Sequence, residues 1–225
     1  MVSVIIAAGG KGTRMGADIN KVYLKLLGKE ILVYTVEAFQ KNKNVDEIII
    51  VTGKNDIDRC NELVKKYELS KVATVVQGGS TRQKSVFNGI MASKGDIVAI
   101  HDGARPLISQ QEIDAVFNDC REYGAAAVGV SVKDTLKMID KNGFIASTID
   151  RELVCSIRTP QVFKRNIIIN AHQKALNESF EATDDCGLVE FSGVKIKITA
   201  GSSENIKVTT PEDIVFAEGI WRKNR

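Results

Sequence analysis

The chain has no cysteine pair at metal-binding spacing, no long apolar run and no low-complexity tract, and each absence removes a class of protein. Its four cysteines, Cys60, Cys120, Cys155 and Cys186, stand far apart with no Cys-x-x-Cys spacing, so neither a zinc site nor a disulfide framework is expected. Buried free thiols in a reducing cytoplasm are the expectation. The apolar opening from Val2 to Ile6 is too short for a signal h-region, and no later run reaches membrane-spanning length. Lys and Arg number 31 against 28 Asp and Glu, a formal net charge of +3; they are spread along the chain, so no nucleic-acid footprint is expected. No repeat or Pro-rich linker divides the 225 residues, a length that one hydrophobic core can organise.

What is present is a rhythm. The β-branched run from Val2 to Ala8 ends in Gly9 and Gly10, the pattern of a buried strand feeding a glycine loop. Apolar positions at helical spacing then alternate with short β-rich runs. Leu32, Val36 and Phe39 precede Ile48 to Val51; Ile57, Cys60 and Val64 precede Val72 to Val76; Val86 and Ile90 precede Ile97 to Ile100; Ile113, Val116 and Cys120 precede Ala125 to Val130. Ser80 with Gln83 and Ser109 with Glu112 match capping boxes, and Thr210 before Pro211 marks a further helix start. Strands alternating with helices require crossovers on both faces, which predicts a doubly wound α/β domain with a mostly parallel sheet and ligands beyond the strands' carboxyl ends. The stretch from Asp134 to Asp150 breaks the rhythm. Asn142-Gly143 between two β-rich runs predicts a protruding β-hairpin closed by a two-residue turn, too small to be stable alone and therefore expected to pack against a second subunit.

The loop after the first strand reads Ala7-Ala8-Gly9-Gly10-Lys11-Gly12-Thr13-Arg14-Met15, with Lys21 on the same connection. Its glycines let backbone N–H groups approach phosphate oxygens, and Arg14 and Lys21 supply the cations that a polyphosphate requires. A dinucleotide fingerprint from Gly10 would need a third glycine where Met15 stands, and no G-x-x-x-x-G-K-[ST] string exists. A plain structural turn and a solvated Lys21 are the bland alternatives. Asp102 closes the apolar run from Ile97 to His101, which places it at a strand's carboxyl end, where a ribose hydroxyl or a magnesium ion could meet it. Arg105 reads either as a phosphate ligand or as a brace for its own loop through Asp102, and Ser80 equally as a helix cap. His101 reads as a packed core residue and His172 as a helix-surface residue.

The glycine loop resembles the signature loop of the nucleotidyltransferases that activate sugar and polyol phosphates. Within them, His101-Asp102-Gly103-Ala104-Arg105-Pro106, Asp134-Thr135-Leu136-Lys137, Thr159-Pro160-Gln161, Thr183-Asp184-Asp185 and Asn205-Ile206-Lys207-Val208-Thr209-Thr210 resemble the 2-C-methyl-D-erythritol 4-phosphate cytidylyltransferases of the non-mevalonate isoprenoid pathway. The likeness runs over essentially the whole chain. It implies CTP contacts from Ala7, Ala8, Gly9, Gly10, Gly12 and Thr13, from Gly79, Ser80, Arg82 and Ser85 around the base, and from Gly103. It implies Arg14, Lys21, Lys207 and Asp102 as the catalytic set, with Mg²⁺ held mainly by the triphosphate and touched by Asp102. Arg105, Arg151, Thr159, Thr183 and Lys207 are the implied polyol-phosphate residues, Arg151 and Thr159 reaching in from the neighbouring subunit of a homodimer with shared active sites. For Arg151 a salt bridge with Asp150 or Glu152 is the bland alternative. The implied reaction transfers CMP from CTP to 2-C-methyl-D-erythritol 4-phosphate with release of pyrophosphate. Ribitol 5-phosphate cytidylyltransferase is the nearest rival and a noncatalytic nucleotide-binding module the more distant one. No fusion to a later enzyme of the pathway is expected after Arg225. The chain departs from the family pattern at Asn20-Lys21-Val22, where Pro-Lys-Gln is common, at Glu204, where Asp is common and a second metal contact comes into question, and at Lys84, where an acid is frequent.

Overall fold

The structure is a computed structural model that describes residues 1–10 and 20–224. Its centre is β1 (Val2–Ala7), paired in parallel with β4 (Glu47–Thr52) on one side and β6 (Ile97–Asp102) on the other. These strands read as near-continuous apolar runs because helices cover both sheet faces. Side chains alternate across the sheet. Val4 and Ile6 join the core beneath α1 (Ile31–Gln40), α2 (Ile57–Lys66) and α4 (Gln110–Tyr123). Ile5 and Ile49 join the opposite core, beneath α3 (Arg82–Ala92), α5 (Arg165–Asn177) and α6 (Asp185–Phe191). Phe39, Phe117 and Phe163 are fully enclosed, each burial stabilising the fold by about 1.5–3 kcal/mol.

With β5 (Val72–Gln77), β7 (Ala125–Ser131), β10 (Cys155–Lys164) and β11 (Lys197–Ala200), the sheet has the order β11-β7-β10-β6-β1-β4-β5. Every neighbouring pair is parallel except those of β10, which runs antiparallel to both β6 and β7. The doubly wound, mostly parallel sheet expected from the βα rhythm is therefore present, with one reversed strand that no local pattern announced. The chain order reverses at β1, whose neighbours β4 and β6 follow it in opposite directions across the sheet; a crevice opens at such a switch point.

The capping predictions fare unequally. Ser109 and Glu112 form the reciprocal box at the start of α4, which ends in left-handed Gly124 (φ +86°), and Thr210 forms a second box with Asp213 before α7 (Pro211–Lys223). At α3 the cap is Thr81 rather than Ser80: Thr81 Oγ1 accepts from the Lys84 amide at 3.2 Å, and the helical ladder starts from the Thr81 carbonyl. The loop runs one residue further than the motif suggested. His172 is a second correction. It is 5% exposed, its ring centroid 5.1 Å from that of Phe87, because α3 and α6 both pack on α5 and leave that face no solvent.

Between β7 and β10 the chain leaves the body as β8 (Lys137–Ile139) and β9 (Ile145–Thr148), an antiparallel pair. The connection spans residues 140–144 instead of the expected two-residue turn. The Asp140 carboxylate accepts the amides of both Asn142 and Phe144 at 2.9 Å, which widens the loop and places Gly143 at φ +86°. Met138, Ile139, Phe144 and Ile145 are all more than half exposed. Lys25–Leu26 and Lys29–Glu30, β2 and β3, form a short hairpin before α1. Cys60, Cys120 and Cys186 are buried and Cys155 is half-buried, and burial pushes the Cys60 and Cys120 thiols up to about 12. Among the described residues no helix is long and apolar enough to cross a membrane.

Candidate active site

A cleft of about 480 Å³ opens over the carboxyl ends of β1, β4 and β6. Its floor follows from the strand ends themselves. The Ala8 amide donates to the Val51 carbonyl at 2.7 Å, and the Gly103 amide donates to the Ala7 carbonyl at 2.9 Å, so the loops leaving three adjacent strands are stitched together. Ala7, Ala8, Gly9 and Gly10 line one wall. Asn20 closes that wall: its Nδ2 donates to the Ala8 carbonyl at 2.6 Å, and it heads the short 3-10 turn Lys21–Tyr23. Lys21 lines the cleft on this turn. Tyr23 fixes the turn's far side through a 3.1 Å hydroxyl contact with Thr52 Oγ1, and burial raises its phenol well above the ordinary range. Gly12, Thr13 and Arg14 lie outside the described residues.

The opposite wall is the loop into α3, with Gly79, Ser80, Thr81, Arg82 and Ser85 all on the cleft. A Cβ at Gly79 would come within 2.5 Å of Lys84 Cβ, so only glycine allows the loop to fold this closely over the helix. Ser85 Oγ accepts from the Gly79 amide at 3.0 Å and donates to the Thr81 carbonyl at 2.7 Å. Its hydroxyl thus holds the loop, whatever base it reads. Lys84 is exposed to solvent.

Asp102 stands at the meeting point of the walls. Its Oδ2 is 2.9 Å from Lys207 Nζ and 3.3 Å from Arg105 Nε, and its Oδ1 is 4.0 Å from Arg82 Nη2. Burial alone would raise this carboxyl; Lys207, Arg82 and Arg105 together outweigh burial and hold it far below the ordinary carboxylate range. It is an anion at neutral pH. Opposite charges near 4 Å at an effective dielectric of 20 attract by about 4 kcal/mol before desolvation, so the three cations order the loop around one carboxylate.

Beneath Asp102 lies a buried polar network. The Asp102 amide donates to Thr159 Oγ1 at 3.0 Å, Thr159 Oγ1 also contacts His101 Nδ1 at 3.1 Å, and Asn205 Nδ2 donates to the Thr159 carbonyl at 3.0 Å. Thr159 is 4% exposed. Its side chain therefore serves its own chain's Asp102 loop. Arg105 is likewise enclosed, with Nη1 donating to the Asn205 carbonyl at 2.9 Å and Nε facing Asp102; of its two readings the brace is the one these bonds describe. His101 is fully buried with its ring edge-on to Phe39, and burial lowers it to about 4. It sits in the core, as the sequence suggested.

The remaining acceptor candidates are not gathered at the cleft. Arg151 is exposed at the hairpin root, where Nη1 donates to the Lys133 carbonyl at 3.1 Å; among the described residues it forms no salt bridge with Asp150 or Glu152. Thr183 is exposed just ahead of Asp184, the cap of α6. Glu204, a questioned second metal contact, turns instead to Lys223 and Asn224 at 2.8 and 2.7 Å. Gly103 underlies the cleft without lining it, and a Cβ there would come 3.1 Å from the Ala7 carbonyl.

Four residues of consequence carried no motif-level role. Asn20 was visible only as a departure at the loop lysine. Asn205 and Gln161 lie inside recognised strings, yet their work is buried: Gln161 Oε1 accepts the amides of Asp185 and Cys186, each at 3.0 Å, while Nε2 donates to Asp184 Oδ2 at 2.8 Å. Asp185, fully enclosed, receives Arg82 Nη2 on Oδ2 at 2.7 Å.

Among the described residues no cluster of three or more metal-ligating side chains occurs, and Asp102 is the only carboxylate on the cleft wall. That donor set suits Mg²⁺, which keeps several waters and commonly binds through one or two carboxylates together with substrate phosphates.

Comparison with known proteins agrees with this geometry. The sequence profile of the family described as "IspD: 2-C-methyl-D-erythritol 4-phosphate cytidylyltransferase" matches residues 2–223. The chain is 48% identical over 218 residues to the 2-C-methyl-D-erythritol 4-phosphate cytidylyltransferase of Clostridium novyi, covering 96% of this chain and 94% of that one. It is 47% identical to the Caldanaerobacter subterraneus protein of the same name, covering 99% of each. Among solved structures, 4-diphosphocytidyl-2C-methyl-D-erythritol synthase from Anaerococcus prevotii superposes with a TM-score of 0.89 at 33% identity, covering 98% of this chain and 96% of that one. With a strand-end cleft of this composition and likeness at this identity over nearly its full length, the chain belongs to the 2-C-methyl-D-erythritol 4-phosphate cytidylyltransferase family.

Proposed function

We propose that the chain transfers CMP from CTP to 2-C-methyl-D-erythritol 4-phosphate. An oxygen of the acceptor's phosphate monoester attacks the α-phosphorus of CTP, the bond from that phosphorus to the oxygen bridging the β-phosphate breaks, and 4-diphosphocytidyl-2-C-methyl-D-erythritol and pyrophosphate result. The observation that carries this reading is the pairing of a glycine-lined backbone wall with Lys21 and Lys207 across one cleft. The monoester's second pKa is about 6, so the nucleophile is already ionised at neutral pH and no general base is required. The protein's work is positioning and charge: Lys21 and Lys207, with Arg14 on the same connection as Lys21, offset negative charge that grows on the pentavalent phosphorus and the leaving pyrophosphate. Gly79, Ser80 and Ser85 face the base, Asp102 orients the ribose, and Thr183 together with Arg151 from the neighbouring subunit closes on the acceptor phosphate at the cleft's margin. Mg²⁺, held by the triphosphate with Asp102 as its one side-chain contact, would supply Lewis-acid charge compensation when bound.

The working unit in this reading is a homodimer in the cytoplasm. Support comes from the hairpin, whose large apolar side chains Met138, Ile139, Phe144 and Ile145 a lone chain leaves in water, and from Arg151 at its root. The relatives named above are methylerythritol phosphate enzymes, which favours that acceptor over ribitol 5-phosphate. Pyrophosphate release from CTP, measured with each acceptor in turn, tests the assignment. Turnover that prefers ribitol 5-phosphate overturns the acceptor, and CTP binding without turnover on either overturns the enzyme reading.

A further inference from the structure

Arg82 is the first residue of α3, directly after its cap Thr81. A cation there meets the positive end of the helix dipole, which disfavours it. It nonetheless lines the cleft, its side chain about one third exposed, and its Nη2 is held at 2.7 Å by Asp185 Oδ2. The same Nη2 stands 4.0 Å from Asp102 Oδ1, while Asp102 is already engaged by Lys207 and Arg105.

Asp185 is fully buried, and among the described residues its Oδ1 has no hydrogen-bond partner. As a contribution to stability such an arrangement is poor, since burying a carboxylate with a single partner costs more in desolvation than a packed apolar pair would. As an anchor it is well made. The Asp185 amide is fixed by Gln161 Oε1, and the neighbouring Asp184 caps α6 through the Gly187 amide at 2.9 Å, so the carboxylate projects from a backbone that cannot drift.

We propose that Asp185 is a positioning residue for the nucleotide cleft: from beneath the wall it holds the Arg82 guanidinium at the cleft edge, at 4.0 Å from Asp102 Oδ1 rather than in direct contact, while Lys207 stays on Asp102 Oδ2. Asp185 touches no substrate itself. Without it, Arg82 loses the anion that offsets the helix dipole and closes the 4.0 Å gap to Asp102, the next carboxylate within reach, which withdraws it from the cleft edge. The inference rests on the cleft being the CTP site.

Calorimetric CTP binding and steady-state kinetics of wild type, Asp185→Asn, Arg82→Ala and the double variant test it. Asp185→Asn is expected to raise the Kd and KM for CTP by about tenfold to a hundredfold, the effect of losing a charged hydrogen bond, with the acceptor KM within twofold of wild type. In the Arg82→Ala background the same change is expected to add less than twofold, because two residues acting as one unit are not additive. Should Asp185→Asn not fold, Asp185→Glu replaces it: the charge stays, the carboxylate shifts by one methylene, and the CTP Kd must still rise. Unchanged CTP affinity in the Asp185 variant, a full additive loss in the double variant, or a change confined to the acceptor KM overturns the role of Asp185. A wild-type protein that binds no CTP overturns instead the reading of the cleft.

Discussion

Lys207 Nζ lies 2.9 Å from Asp102 Oδ2, joining the loop before the last helix to the carboxyl end of β6. Arg105 and Arg82 complete the ring around the same carboxylate. The site therefore stores its positive charge around one buried anion, and a polyphosphate entering the cleft meets cations already held in place. Preorganisation of this kind is the largest electrostatic contribution available to a reaction whose charge grows on phosphate oxygens.

Lys207→Ala and Lys21→Ala are each expected to lower turnover by about 10²- to 10³-fold, the usual cost of removing one charge-stabilising donor; Arg14→Ala is expected to behave alike. Single-turnover pyrophosphate release at saturating CTP is the measurement. Near wild-type rates in these variants contradict the proposed roles.

Asp102→Asn removes the anion beneath three cations. Breaking a buried pair by deleting one partner destabilises by about 3–5 kcal/mol, so a clear fall in melting temperature of the ligand-free protein is expected, together with weaker CTP binding. The sign with pH follows from the depressed carboxyl. Its contribution is fully present above the ordinary value of 3.8 and is lost as pH falls toward the lower folded-state value. Wild type is expected to show this acid limb below about pH 4, and Asp102→Asn to lack it.

His172 provides a separate acid sensitivity. Burial first, and Arg82 second, lower its pKa from 6.5 to about 4, and Nε2 has no hydrogen-bond partner among the described residues. The folded state keeps the ring neutral while the unfolded chain takes up a proton below 6.5, so stability falls as pH drops from 6.5 to about 4. At about 1.4 kcal/mol per unit the loss is about 3 kcal/mol. Urea unfolding of His172→Phe at pH 7 and pH 4 is expected to show a pH dependence smaller by about that amount, the remainder belonging chiefly to His101, which is lowered over the same window. An undiminished slope sinks the assignment.

Phe144 is 71% exposed and Ile145 66% exposed at the tip of the hairpin. Phe144→Ser with Ile145→Ser is expected to leave the melting temperature of the body within a few degrees, since neither side chain joins its cores, while sedimentation shifts to a single chain. If Arg151 serves a neighbouring site, turnover falls with the dimer. A double variant that stays dimeric excludes the hairpin as the contact.

Much of this was legible locally. The βα alternation appeared as a change of hydrophobic period, because a strand between two helix layers must be apolar throughout and a covering helix must be apolar on one stripe. The capping box at Ser109 was legible because it closes within four residues. The box proposed at Ser80 missed by one position, since Ser85 and Gly79 determine how far the loop runs before the helix starts, and that contact is tertiary. His172 was misread as a surface residue for a related reason: helical spacing shows which residues share a face, whereas the element that packs on that face is fixed elsewhere in the chain.

The amino-acid sequence by itself determined the alternating elements from β1 to β7, the hairpin and the start of the last helix, the glycine loop, the cationic residues beside it and the family. Only the tertiary structure decided that β10 returns antiparallel between β6 and β7, that Thr159 turns inward to the Asp102 amide, and that Asp102 gathers Lys207, Arg105 and Arg82. The physical reason is range. Propensity, periodicity and capping act over a few residues and leave a mark in the string, whereas a buried charge finds its partners through the folding of the whole sheet, and nothing about the order of letters records which cation will arrive.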